Sequence, residues 1–162
     1  LIEAEGFVRT GRLAYAHHGS PIYAFRYDRA AIQDEVIAAY GDGIALHKAD
    51  LPARARPGDT VLVRLWWSAS APPAVDYSVS VFLLDSLGAL QAQHDGYPAN
   101  GAAPTSGWTP AALVFDGHSL VLPEHLPRGE YAVGVKLYTY WDGAILPTDE
   151  DEYVIVGHLT VE

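Results

Sequence analysis

"DTVLVRLWWSA", Asp59–Ala69, is the stretch whose reading decides the fold. In an extended chain Val61, Val63, Leu65 and Trp67 fall on one face, and Leu62, Arg64 and Trp66 on the other. A helix would scatter the first set around its circumference; a strand lines it up against a core. Three further stretches repeat the pattern. "VDYSVSVFLLD" (Val75–Asp85) alternates Tyr77, Val79, Val81 and Leu83 with Asp76, Ser78, Ser80 and Phe82. "GEYAVGVKLYTYWDG" (Gly129–Gly143) does so with Tyr131, Val133, Val135 and Leu137, and "EYVIVGHLTVE" (Glu152–Glu162) with Tyr153, Ile155, Leu159 and Val161. Strands with one apolar face each predict an all-β chain: a two-sheet antiparallel β-sandwich, Ig-like or jelly-roll in topology.

Shorter strands are expected at Ile44–Ala49, Ala89–His94, Ala112–Phe115 and Ser119–Leu122, with two more near Arg12–His17 and Ile22–Tyr27. Turn chemistry separates them. "RPGD" (Arg56–Asp59) and "PRGE" (Pro127–Glu130) place proline and glycine before a strand, and "DSLG" (Asp85–Gly88), "FDGH" (Phe115–His118) and "YWDG" (Tyr140–Gly143) read as Asx or positive-φ turns. Only "AAIQDEVIAAY" (Ala30–Tyr40) has helical spacing, which predicts one short helix. The expected organisation is therefore an N-terminal extension, residues 1–40, packed on a sandwich of residues 41–162.

The composition removes several function classes. The chain of 162 residues carries a formal charge of −10 with only ten Lys and Arg, scattered, which speaks against nucleic acid and anionic membrane surfaces. No cysteine is present, so disulfides, zinc–thiolate sites and thiol catalysis are excluded. The apolar runs are too short for a spanning helix, no signal peptide opens the chain, and Leu1 in place of methionine suggests a processed or excised piece.

Catalytic signatures are missing: no G-x-S-x-G, no phosphate-cradling loop, no H-E-x-x-H. "GDG" (Gly41–Gly43) reads as a turn. The seven histidines (His17, His18, His47, His94, His118, His125, His158) show no metal-ligand spacing. The acidic run "TDEDEY" (Thr148–Tyr153) lacks the glycine and alternation of a calcium loop, so a solvated hairpin loop is the better reading and calcium a minor one. No metal and no cofactor is expected. Asp95, Asp116, Glu124 and Asp142 are default candidates for a glycosidase pair, but each sits beside turn formers and reads as structural.

Aromatics are more telling. Ten Tyr and four Trp suit sugar stacking as well as half-buried sheets. Trp67 shares the core face of its strand. Trp66, Trp108 and Trp141, with Tyr97, Asp95 and His94, are the candidate carbohydrate contacts. The long connection "QAQHDGYPANGAAPTSGWTP" (Gln91–Pro110) is read mainly as structural closure, anchored at Asp95 and Trp108, with Tyr97 and the tip open to a sugar.

These residues carry a resemblance. Pro57-Gly58-Asp59, Leu65 with Trp67, Asp76-Tyr77, Leu83-Leu84-Asp85, Gln93 with Asp95 and Pro98, Pro104-Thr105 with Trp108, and Gly129 with Tyr131 form a series. It resembles a β-sandwich domain at the C-terminal end of bacterial multi-spanning glycosyltransferases of the dolichyl-phosphate-mannose–protein mannosyltransferase type. The similarity runs over residues 41–162. Two departures stand out: "VKLYTYWDG" where the family has "GLYD", implying a longer hairpin, and Thr109-Pro110-Ala111 in place of "x-x-GE". The resemblance implies a non-catalytic, extracytoplasmic accessory domain of a membrane-anchored protein, with glycan or glycolipid as its ligand and no catalytic residues to carry over. The alternative is a structural or assembly module docking to its own membrane domain or to a partner. A sandwich-scaffold hydrolase is the least favoured reading.

Overall fold

A computed structural model describes residues 7–17, 20–29 and 35–162, with side chains from residue 35 onward. Strands β1 (Phe7–His17) and β2 (Ser20–Arg29) pair antiparallel as a separate two-stranded sheet, where the sequence predicted two strands. The rest is a two-sheet β-sandwich. One sheet has the order β3 (Ala38–Ala39), β4 (Ile44–Asp50), β6 (Thr60–Ala69), β9 (Val114–Val121). The other runs β5 (Arg54–Ala55), β12 (Val154–Val161), β10 (Gly129–Tyr138), β7 (Ser78–Leu84), β8 (Leu90–Gly96), with β11 (Ile145–Leu146) also pairing on β10. All pairs are antiparallel except β12 with β5. No described helix is long and apolar enough to cross a membrane.

The alternating faces become the core. Val63, Leu65, Trp67, Val79, Val81, Leu83, Val133, Val135 and Leu137 are all fully buried, from four-stranded and six-stranded sheets alike. Each such side chain contributes roughly 1.5–3 kcal/mol of burial free energy, so this set dominates the fold's stability.

Four expectations are corrected. Glu35–Ile37 are not helical, and Ala38–Ala39 pair with Leu46 and Ala45, so a sheet takes in residues before Gly41; residues 30–34 of the expected helix lie outside the described residues. Propensity lost to pairing with β4. "FDGH" is not a turn, and the two short strands around it are one strand, β9, paired along its length with β6. In β12 the core face is Leu159 and Val161 but not Tyr153 and Ile155, which are exposed. The register slips between Val133↔Gly157 and Gly134↔Ile155, so Val156 is an extra residue, and the bulge turns Val154 and Val156 inward instead. Within the long connection, 3-10 turns at Pro98–Gly101 and Thr105–Gly107 follow β8.

Candidate functional site

The structure separates the six predicted contacts into four places. Trp66 lies on the outer face of the four-stranded sheet, buried under the Phe115 ring at 5.3 Å and the Lys48 ammonium at 5.1 Å. Trp108 is buried in the core cluster, and its indole N–H donates to the Ala103 carbonyl at 2.9 Å. Neither offers a ring face to a ligand. Both are withdrawn as contacts, Trp66 because neighbours cap it and Trp108 because the loop folds it inward.

His94 points between the sheets, opposite core-facing Val81. Asp95, Tyr97 and Trp141 do reach solvent.

Asp95 and Tyr97 belong to one surface. Alternation puts Gln93, Asp95 and Tyr97 on the outer side of the six-stranded sheet, beside Ser78, Ser80 and Phe82 of β7 and Lys136 and Tyr138 of β10. Ser80 stands between Asp95 and Lys136, and Ser78 opposite Tyr138. Gly134 has no side chain because a Cβ there would lie 2.3 Å from the Phe82 ring. The Tyr138 phenol is pushed up by burial and then by the Asp95 charge, with Tyr140 and Tyr97 adding smaller increments and a Ser78 hydrogen bond opposing.

The β10–β11 hairpin tip, residues 139–144, adds Tyr140 and Trp141, exposed by 72% and 62%. Asp142 accepts from Thr139 Oγ1 and from the Ala144 N–H, and Gly143 (φ 72°) closes the turn. These bonds hold the Asp142 carboxyl below its ordinary range, the Thr139 hydroxyl first among them. Three exposed aromatics, Tyr97, Tyr140 and Trp141, thus lie toward the end of one sheet, with the Asp95 acceptor. A shallow depression of ≈ 280 Å³ continues along the same face between Phe82, Gln93, Lys136 and Tyr153.

A second constellation escaped the sequence reading. Asp116 and His118, each 1% exposed, share the inner face of β9, and His118 Nε2 donates to Asp116 Oδ2 at 2.8 Å. His118 Nδ1 lies 2.9 Å from His94 Nδ1 across the gap between β9 and β8. A carboxylate only accepts, so His118 carries its hydrogen on Nε2; in the neutral pair His94 Nδ1–H donates to His118 Nδ1. Asp116 Oδ1 also accepts from the Ala99 N–H at 2.9 Å. Ala99 and Asn100 have φ of 53° and 54°, a left-handed backbone unfavourable for side-chain-bearing residues, so Asp116 holds a strained turn. His94 is held below its ordinary range by burial and then by the His118 charge, against smaller opposing effects of Asp95 and Asp116. The missed signal was the Asp116/His118 spacing of two, which on a strand means one face.

The loop's anchors are therefore Asp116, Trp108 and Thr105 rather than Asp95, whose carboxylate accepts from Gln93 instead. Thr105 Oγ1 accepts from the Tyr77 N–H and donates to the Val75 carbonyl, and Asp76 Oδ1 accepts from the Ser106 N–H. Tyr77, its phenol donating to Asp42, has a pKa raised to about 12, by burial first and then by that carboxylate.

Of the four default carboxylates, Asp116 accepts from two internal donors and Asp142 from its own turn, Asp95 accepts one bond from Gln93 and keeps acceptor capacity, and Glu124 lies beside Gly58. In the acidic run Thr148 Oγ1 accepts from the Glu150 and Asp151 N–H groups, making a hydrogen-bonded turn. Among the described residues no three His, Asp or Glu side chains converge as a metal site. His47 bonds the Glu35 carbonyl and Ser68 Oγ, while His125 and His158 are exposed.

No family model matches the chain, and no curated protein matches it. Among solved structures, one similar chain is a glycosyl hydrolase family 2 member from Bacteroides cellulosilyticus DSM 14838, at 15% identity and a TM-score of 0.44. The match covers 74% of this chain and 15% of that one, and no residue role is carried across from it.

Proposed function

We propose that the sandwich is a non-catalytic accessory domain that binds carbohydrate on the β8–β10 end of its six-stranded sheet. The observation that carries this reading is the grouping of Tyr97, Tyr140 and Trp141, all exposed, with Asp95 and the half-buried Tyr138. Flat rings take the C–H faces of a sugar, and a carboxylate, a phenol and an ammonium satisfy its hydroxyls. Lys136, 5.9 Å from the Phe82 ring and 6.0 Å from Tyr138, supplies a donor beside Ser80. An open, polar-rimmed face suits one end of a glycan or a glycolipid headgroup better than a small enclosed substrate. The resemblance to accessory domains of membrane glycosyltransferases agrees with this and supplies the setting: an extracytoplasmic position within a membrane-anchored protein.

Titration against a glycan panel tests the proposal. Binding is expected, with Trp141→Ala and Tyr97→Ala each losing about tenfold, roughly what a stacked ring contributes. A panel with no binder, or binding indifferent to both substitutions, rejects it.

A further inference from the structure

The opposite flank of the sandwich carries a different surface. There β3 and β12 lie at the margins of their sheets. Strand β5 pairs with β12 only at Thr160 and Val161, so among the described residues Val154–Val156 has no strand on the side away from β10. Between the two margins runs a cleft of ≈ 570 Å³, floored by Val36, Ile37, Val154 and Ile155, with Tyr153 on its wall. Val36, Ile37, Tyr153 and Ile155 are exposed by 52%, 40%, 37% and 38%. Scattered apolar residues are ordinary on a surface, but four in one groove beside an unpaired sheet margin are not.

The rim is anionic. Asp149, Glu150 and Asp151 stand along it, and none has a Lys or Arg within ion-pair distance among the described residues. The Thr148 turn fixes their backbone while their side chains stay exposed.

We infer that this cleft is a docking site for an extended partner segment that alternates apolar side chains with lysine or arginine. Strand addition to the free β12 margin supplies main-chain hydrogen bonds, the cleft takes every second side chain, and the cations between them meet the rim. A second copy of this chain fits poorly, because it would bring another acidic rim and another −10 charge to the contact. Apart from Tyr153, whose ring packs on Phe82, this cleft shares no lining residue with the proposed sugar face.

The experiment is an NMR titration of the chain with a short synthetic peptide alternating lysine and valine, and with its glutamate-for-lysine counterpart. Saturable shifts confined to residues 36–39 and 148–156, given by the lysine peptide alone, support the docking site. The combined Asp149→Asn, Glu150→Gln and Asp151→Asn variant, which keeps side-chain shape and the Thr148 turn, should then bind about tenfold more weakly at physiological salt. Ile155→Arg should abolish the response. Equal response to both peptides, shifts elsewhere, or no response overturns the inference. So does concentration-dependent self-association through the same residues, which would make a second copy the occupant.

Discussion

The two flanks of the sandwich solve the same problem in opposite ways. Where β8 meets β9, a buried chain of Asp116, His118 and His94 bridges the sheets, and the loop pinned by Ala99, Thr105 and Trp108 lies over that side. Between β3 and the segment leading into β12, one isolated bridge among the described residues, Tyr40↔Thr148, joins the two sheets, and a cleft with an apolar floor and an acidic rim stays open beside it. The difference shows what closes a sandwich laterally. Apolar alternation builds the faces, but a lateral gap exposes backbone, and only groups that can hydrogen-bond across it seal it without leaving donors unpaired. The closed flank is therefore expected to be stable and the open one tolerant of change.

Breaking the closed flank should have the largest effect. Trp108→Ala removes a buried ring and the bond to Ala103, and should destabilise the fold by about 3–5 kcal/mol in urea unfolding. A loss no larger than that of Trp141→Ala, an exposed tip residue, would erase the distinction between closure and surface.

The polar bridge should next reveal itself by its pH response. Because the folded environment holds His94 below its unfolded value of about 6.5, the unfolded chain binds its proton first on acidification. The associated stability is full above about pH 6.5 and is lost as pH falls toward and through the lower folded value. His94→Asn keeps a donor in place of Nδ1 without titrating, so its unfolding midpoint should vary less between pH 7.5 and 5 than the wild type's. Parallel pH curves for the two proteins would dissolve this account.

The smallest effect belongs to the open flank. Ile155→Thr, on the exposed side of the β12 bulge, should change stability by no more than about 0.5 kcal/mol. A cost near 2 kcal/mol in the same urea assay would mean that the cleft is part of the core.

Much of the fold is legible in the sequence. Period-two alternation placed β6, β7 and β10 and named their buried residues, because the pleat alone decides which side chains share a face. It failed at β12, where Val156 is one residue too many and nothing in its chemistry announces a bulge. It failed at β9, where Asp116-Gly117 has the composition of a turn yet pairs with Leu65 and Arg64. The candidate site was legible in part: Asp95, Tyr97 and Trp141 reach solvent, whereas Trp66 and Trp108 are covered by residues far from them in the chain.

By itself, then, the sequence determined the class of architecture, the apolar faces and most of the turns, since these depend on local periodicity and backbone preference. The tertiary structure alone decided which aromatics meet solvent, that His94 meets His118 across 24 positions, and that one flank is sealed while the other is open. Those outcomes depend on which strands end at the sheet margins, and strand order is set by long-range packing that no local pattern records.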